Sequence, residues 1–396
     1  MVYNIFIINE FWFAFNKSSL KIVKIKSFEF NLRELAGSMG DFGTLFPLAI
    51  GYIVVCDLNP AGFLVMMGLA NIATGIIYRL PLPIEPMKVL AVIAIAQHWK
   101  PSMVYASGFG MGVVWLLFAI SGIITWIARV TPQSVTRGIQ ASLGVLLAIE
   151  ACKLIAGGWL LGLVAIIIIL IFKDNRYAPA AVLLMFMGIG IMFLKGQLQN
   201  ISSPALTFPP FTSFSLAEVW ETFLMAGIAQ IPLTATNAVI ATASLIKTFW
   251  QEKQVNEHKL SLNMGIMNVV LPFFGGMPLC HGAGGLAGQY YFGARTGGAN
   301  IIEGLIEISL GLSLAGSIAT LFAFFPNSII GAMLLLVGIE LTRFSREIGL
   351  NKELIPLLAT VIGALSTNMA VGFLLGLIVH YALKFFLKEK LNLAEL

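Results

Sequence analysis

PLPIEPMKVLAVIAIA (Pro81 to Ala96) sets three prolines directly before an uninterrupted run of helix-compatible residues. Pro81, Pro83 and Pro86 fix their own backbone and push each preceding residue towards extended geometry, so a helix cannot run across PLPIEP. From Lys88 onward nothing stops one. Apolar sequence lies on both sides of the break, so an extended backbone ends inside an apolar environment and a helix begins there. The first N–H groups of such a helix have no intrahelical partner. A second stretch of the same kind, GGMPLCHGAGG (Gly275 to Gly285), breaks at Pro278 and continues as a short helix to about Phe292. Gly282, Gly284 and Gly285 let the backbone there approach a ligand or another helix closely.

The chain around these breaks has 396 residues, 58% hydrophobic and 11% charged, with a mean hydropathy of +0.90. Soluble domains carry about a quarter charged residues, so this one cannot cover itself with a water-facing surface and is read as an all-α membrane protein. Fourteen apolar segments are expected, at roughly 34–55, 60–79, 87–99, 102–129, 133–154, 158–172, 178–194, 216–247, 260–275, 281–293, 299–323, 328–342, 354–369 and 371–387. A full span takes about 20 apolar residues. The third and tenth segments, which hold the two breaks, are too short for that.

An even number of crossings puts both termini on one side. Of the 24 Lys and Arg residues, all but Lys88, Lys100, Lys153 and Lys195 fall on that side, which marks it as cytoplasmic. A multi-pass protein of the inner or plasma membrane, embedded in the lipid bilayer, is expected. The net charge of +5 is a topology signal. It is scattered over many short loops, so no nucleic-acid partner is expected. Cys56, Cys152 and Cys280 have no paired spacing, which argues against a disulfide framework or a zinc site. GAGGLA (Gly282 to Ala287) fits a dinucleotide-binding pattern, yet no βαβ unit surrounds it. No cofactor is expected, and no HExxH, GxSxG or paired catalytic acids suggest an enzyme. Residues 1–33 read as an N-terminal interfacial segment, because their apolar part precedes their lysines, the reverse of a signal peptide. The chain stops shortly after the last segment, so no soluble regulatory domain is expected.

The polar, Pro-rich stretch 196–215 divides the segments seven and seven, into 34–195 and 216–396. Pro86 and Pro278, at the two breaks, are separated by nearly the same interval as Pro132 in TPQSV (Thr131 to Val135) and Pro326 in FPNSI (Phe325 to Ile329). Matching intervals indicate duplication. Because seven is odd, the second copy enters the membrane from the opposite face, giving an inverted repeat. Paired broken segments are then the pointer to the binding site.

Each helix start carries roughly half a positive charge and free donors. Two such starts meeting at mid-membrane make an anion site, and non-helical backbone at that depth is tolerated only inside protein or against a water-filled cavity. The candidate substrate-binding residues on the arms are Glu85, Pro86, Met87 and Lys88 on the first, and Cys280, His281, Gly282, Ala283, Gly284 and Gly285 on the second. Lys88 either contacts the anion or pairs with Glu85. His281 either lines the pocket or serves as a cap and packing donor. Asp41, in the first segment, is an intramembrane acid and therefore a functional candidate, which either caps backbone or hydrogen-bonds the pocket; Thr44 beside it is either a hydroxyl donor to the pocket or bonded to its own helix backbone. In the eighth segment Gln230 and Asn237, seven residues apart, share a face beside the helix-loosening Pro232. They are pocket residues or helix–helix hydrogen-bonding groups. Glu303 and Glu307 form an i, i+4 pair, and an ion-pair role with Arg295 is expected. Glu150 and Glu340 are read as interfacial.

At the two breaks the sequence resembles the molybdate transporter family, distant relatives of the sulfate permeases. That family is marked by a PxPVQPMK-like motif, here PLPIEPMK, and by a long motif that stands here as FGGMPLCHGAGGLAGQYYFGARTG (Phe274 to Gly297). The resemblance extends to GDFGTLFPLAIG (Gly40 to Gly51) and GIAQIPLTATNAVIA (Gly227 to Ala241), and so covers nearly all of the chain past residue 34. It implies the fold of sulfate and uracil permeases: fourteen transmembrane segments in two inverted seven-segment repeats. In that fold segments 1–4 and 8–11 form a substrate-carrying core domain, and segments 5–7 and 12–14 a gate domain. It also implies a chain without the STAS domain of sulfate permeases, and a homodimer is common among the related permeases. One position departs from the pattern: the family's Gln stands here as Glu85. A carboxylate beside an anion site repels the substrate unless it is protonated or paired, so Glu85 is either a proton-coupling group, with protons as coupling ion, or the structural partner of Lys88.

The expected function is therefore import of molybdate, a tetrahedral oxyanion, by alternating access. A sulfate or tungstate transporter of the same fold and a passive anion channel are the alternatives. A nucleobase symporter is disfavoured, because the eighth segment offers Gln230 and no acid occurs from His281 to Phe292.

Overall fold

The computed structural model describes residues 23–25, 27–40, 42–172, 180–200, 202–253, 255–349 and 351–394. Among the described residues, fourteen helices answer to the fourteen apolar segments. The first half of the chain supplies α1 (Phe42–Val55), α2 (Pro60–Tyr78), α3 (Lys88–Ala96), α4 (Pro101–Ser121), α5 (Gln133–Ala156), α6 (Trp159–Phe172) and α7 (Ala180–Leu194). The second half supplies α8 (Leu216–Phe249), α9 (Glu257–Val270), α10 (Ala283–Phe292), α11 (Gly298–Phe324), α12 (Asn327–Arg343), α13 (Leu354–Ser366) and α14 (Met369–Ala394). Among the described residues, six helices are long and apolar enough to cross a membrane unaided. Large apolar side chains such as Trp159, Leu160 and Ile171 on α6 and Ile362 on α13 are exposed, as a lipid-facing surface requires. By contrast α3 is wrapped on all sides, with Val89 to Ile95 fully buried.

Local chemistry sets the helix ends. Asn59 caps α2 by accepting from the Ala61 and Gly62 N–H groups, and Pro60 occupies the first turn, where a missing N–H costs nothing. A capping box of Ser215 and Glu218 opens α8. Two segments are not single helices. The expected span 102–129 ends at Gly122, whose left-handed backbone (φ 66°) closes α4 before a separate short helix, Ile124–Val130. The expected span 34–55 is divided: its first residues belong to a separate short helix, Leu32–Ser38, capped by Asn31, and α1 begins at Phe42. That helix and a hairpin of β1 (Val23–Ile25) and β2 (Phe28–Phe30) fasten onto the loop between α10 and α11. Glu34 accepts from the Arg295 and Thr296 N–H groups (both 3.0 Å), and Glu29 N–H donates to Thr296 Oγ1 (3.2 Å).

The helices pack in pairs that exchange when each is replaced by its repeat mate seven positions away. Thus α2 packs along α11 and α9 along α4. Similarly α5 packs with α13 and α12 with α6, α1 with α7 and α8 with α14, while α5–α12 maps onto itself. An inverted repeat produces this pattern, and the fold is two inverted seven-helix repeats. Glycines set how close the long pairs come. An added Cβ on Gly68 of α2 would lie 2.6 Å from the Gly304 carbonyl oxygen of α11, and one on Gly144 of α5 would lie 2.5 Å from the Gly338 carbonyl oxygen of α12. Backbones therefore touch directly, as small-residue membrane interfaces allow.

Candidate functional site

The two breaks meet. Glu85–Pro86 (β3) and Leu279–Cys280 (β4) pair antiparallel, Glu85 opposite Cys280 and Pro86 opposite Leu279. The ladder continues for one more bond, from Met87 N–H to the Pro278 carbonyl (3.0 Å). It cannot be long, because Pro83 and Pro86 lack N–H donors. Side chains satisfy the rest of this mid-membrane backbone. Asn268 on α9 donates to the Leu279 carbonyl (2.6 Å) and accepts from the Leu279 N–H (2.8 Å). Asn300 on α11 donates to the Leu82 carbonyl (2.6 Å). His281 Nδ1 lies 3.2 Å from the Pro83 carbonyl oxygen, and its ring meets Tyr78 edge-on.

The helices α3 and α10 start on either side of this bridge, but their first turns differ. Gln230 on α8 turns its side-chain oxygen to α3 and accepts from the Val89 (2.8 Å) and Leu90 (3.3 Å) N–H groups, while its Nε2 donates to Thr234 Oγ1 (2.5 Å). The donors expected to face an anion at α3 are thus engaged by protein. At α10 the N-cap is Gly282, which brings no capping side chain, and Leu286 N–H closes the first turn on the Gly282 carbonyl (2.9 Å). Among the described residues, no side chain caps the first-turn donors of α10 as Gln230 caps those of α3. Lys88 Nζ pairs with Glu85 Oε2 at 3.0 Å. The other carboxylate oxygen, Glu85 Oε1, is buried and has no hydrogen-bond partner among the described residues. A Cβ at Gly282 would fall on the Glu85 carboxyl group, so any larger residue there would have to displace that side chain.

A cavity of about 400 Å³ opens over the bridge. One wall carries Glu85 and Lys88 from the first arm, Cys280 and Gly284 from the second, and Gln230, Thr234, Thr236 and Asn237 from α8. The backbone of α8 widens into π-helical turns at Phe223–Gly227 and Thr234–Ala241, flanking Pro232, and both Gln230 and Asn237 reach the cavity. Unlike Gln230, the Asn237 side chain makes no hydrogen bond to protein among the described residues, so its amide is available to a ligand.

The opposite wall comes from α5 and α12 and was not expected from the sequence. Thr131, Gln133, Thr136, Arg137 and Gln140 line it, with Leu341. The signal was present in TPQSVTRGIQ (Thr131 to Gln140), a stretch more polar than a lipid-facing span needs. In the sequence Arg137 reads only as one of the basic residues that mark one side of the membrane.

Of the expected site residues, Glu85, Lys88, Gln230, Asn237, Cys280 and Gly284 line the cavity, whereas Pro86, Met87, His281, Gly282, Ala283 and Gly285 do not. Met87 and His281 are wholly buried; the first is held in the bridge, and the second turns to the Pro83 backbone. Asp41 lies outside the described residues, as does the side chain of Thr44. The expected ion pairing of Glu303 and Glu307 with Arg295 is replaced by other partners. Glu307 accepts from Asn71 (2.8 Å) and Glu303 from Gln289 (3.2 Å), while the Arg295 guanidinium donates to the Tyr290 and Ala294 carbonyls and stacks on the Tyr290 ring. Glu150 pairs with Lys153 (2.9 Å) and lies 3.2 Å from His98 at the end of α5.

Comparison with known proteins adds a family. The family model described as "Molybdate transporter of MFS superfamily" matches residues 33–147 and 222–341. Molybdate transporter 1 of Arabidopsis thaliana is 30% identical over 90% of this chain and 89% of its own length, and molybdate transporter 2 of the same plant is 30% identical over 89% and 87%. Among solved structures, the transmembrane domain of the cyanobacterial bicarbonate transporter BicA superposes with a TM-score of 0.64 at 14% identity, covering 91% of this chain and 99% of that one. A murine Solute Carrier 26 family member A9 anion transporter in the inward-facing state gives 0.66 at 13% identity, covering 92% and 69%. At these identities the two structures speak for the fold alone. That fold is of seven plus seven inverted helices, which differs from the six-helix halves of MFS transporters.

Proposed function

The chain belongs to the molybdate transporter family, and from that premise we propose that it carries molybdate across a membrane as a secondary transporter. The observation that supports this best is the β3–β4 bridge. It sets the uncapped first turn of α10 beside Lys88 and the Asn237 amide on the floor of a polar cavity, where a desolvated dianion finds several donors at once. In this reading the oxyanion rests against the α10 first turn and the Asn237 amide, with the Lys88–Glu85 pair beside it. The cavity extends to the first turn of α5, and in this reading cargo enters from that side, where the basic loops gather. Helices α1–α4 with α8–α11 act as a core that holds cargo, and α5–α7 with α12–α14 as the gate it moves against. Access alternates as the α5 and α12 wall shifts relative to the bridge.

Tracer molybdate uptake into proteoliposomes tests this, with unlabelled tungstate, sulfate and uracil as competitors. Saturable uptake is expected, inhibited by molybdate and by the near-isosteric tungstate and indifferent to uracil. Sulfate competing as well as molybdate would overturn the substrate assignment. A rate that never saturates would replace a carrier with a channel.

A further inference from the structure

The bridge wall alone carries little net positive charge for a dianion. Lys88 is held by Glu85 at 3.0 Å, so that pair is close to neutral, and Gln230 engages the α3 donors. Burying a dianion against such a wall leaves it short of compensation. The opposite wall carries another full charge. Arg137, on α5, lines the cavity with its side chain 19% exposed. Its Nη1 donates to Gln140 Oε1 (2.9 Å), and its Nη2 pairs with Glu347 Oε2 (2.5 Å). Gln133 Nε2 donates to the same Glu347 oxygen (3.2 Å). Glu347 is not part of the cavity lining. It stands in the 3₁₀ turn after α12, with its side chain 47% exposed, and reaches in from the rim.

We propose that Arg137 is a specificity-determining contact of the transported oxyanion, and that the Glu347 carboxylate competes with the oxyanion for it. The proposal rests on the reading of the cavity as the molybdate site. A guanidinium offers a planar fork of donors that matches the paired oxygens of a carboxylate or a tetrahedral oxyanion equally well. An anion that takes the place of Glu347 satisfies Arg137 and Gln133 and sends a surface carboxylate back to water, where its desolvation cost is small. The same anion then touches both walls, α10 and α8 on one side and α5 on the other, and binds most tightly when they are closest. That is the differential affinity a ligand needs in order to shift a conformational equilibrium. A neutral planar solute gains far less from Arg137 than a dianion does, and is discriminated against.

The test is equilibrium binding of radiolabelled molybdate to the full-length protein in detergent, which exposes both membrane faces, with thermal stability recorded alongside. Arg137→Gln is expected to weaken binding about tenfold or more, the scale of one lost charge-assisted contact. Glu347→Gln is expected to tighten binding, and the double variant to bind as weakly as Arg137→Gln. If the pair were only a strut between α5 and the α12 end, both single substitutions would act in the same direction; that result, or no change in Arg137→Gln, overturns the proposal. Should Arg137→Gln fail to fold, the half-exposed and isosteric Glu347→Gln still decides: tighter binding supports the competition, unchanged or weaker binding ends it. Failure of the unmodified protein to bind molybdate at all would overturn the functional reading as well, which normal binding with indifferent variants would not.

Discussion

Gln230 and Asn237 show how far two residues of one expected kind diverge once folded. Their seven-residue spacing placed them on a common face, and both do reach the cavity. Yet Gln230 gives its oxygen to two buried backbone N–H groups and its nitrogen to Thr234, whereas Asn237 keeps its amide for the cavity. The difference was illegible in the sequence, because it depends on where α3 lies against α8, a contact between residues more than a hundred positions apart. Gln230→Leu should therefore lower the melting temperature, since each orphaned buried donor costs about 1–3 kcal/mol. Asn237→Ala should leave stability nearly unchanged and raise the KM of molybdate uptake. A stable Gln230→Leu protein would remove the capping role. Glu85 is the one carboxylic acid in the cavity lining among the described residues. A proton-coupling role for Glu85, as opposed to a purely structural pairing with Lys88, predicts that Glu85→Gln flattens the dependence of uptake on external pH while molybdate still binds. An unchanged pH profile would exclude Glu85 from proton coupling.

At the scale of elements, the prolines made the starts of α3 and α10 readable, because covalent geometry forbids helix there whatever the surroundings. The strand pairing between them was not readable. Two residues have no periodicity, and the backbone around the bridge is fastened in part by Asn268 and Asn300 on other helices. Asn268 in particular acts as a third strand's edge in a single side chain. Asn268→Ala would leave both polar groups of the Leu279 backbone unsatisfied at mid-membrane, so a loss of roughly 2–6 kcal/mol is expected from two such groups. Thermal unfolding in detergent should show a large drop, together with loss of molybdate binding. Wild-type stability in that variant would mean the bridge is held elsewhere. The asymmetry of the two half-helices, one capped by Gln230 and one left with glycine at its start, also escaped the sequence. The duplication made the arms look equivalent, and only the packing of α8 separates them.

For the whole molecule, segment count and the inverted repeat were legible because hydropathy and the prolines recur in both halves. The second cavity wall was not, because a basic residue near a helix start reads as a topology marker first. Arg137 is one turn inside α5, deep enough to face the cavity and shallow enough to be counted with the loops. The even number of helices carries its own test. Tags on the two termini should be cleaved by protease from the same side of sealed vesicles; cleavage from opposite sides would mean that the helix count is wrong by one.

The bridge also imposes an order in time. Glu85, Pro86 and Met87 are synthesised in the first quarter of the chain, but their hydrogen-bond partners, Pro278 to Cys280, follow only after α4 to α9 have been made. Until then the first arm holds unpaired backbone at a depth where lipid offers no substitute. The newly inserted first repeat is therefore an incomplete object, and its release from the insertion machinery must wait for the second. Two half-length chains should accumulate only when they are produced together.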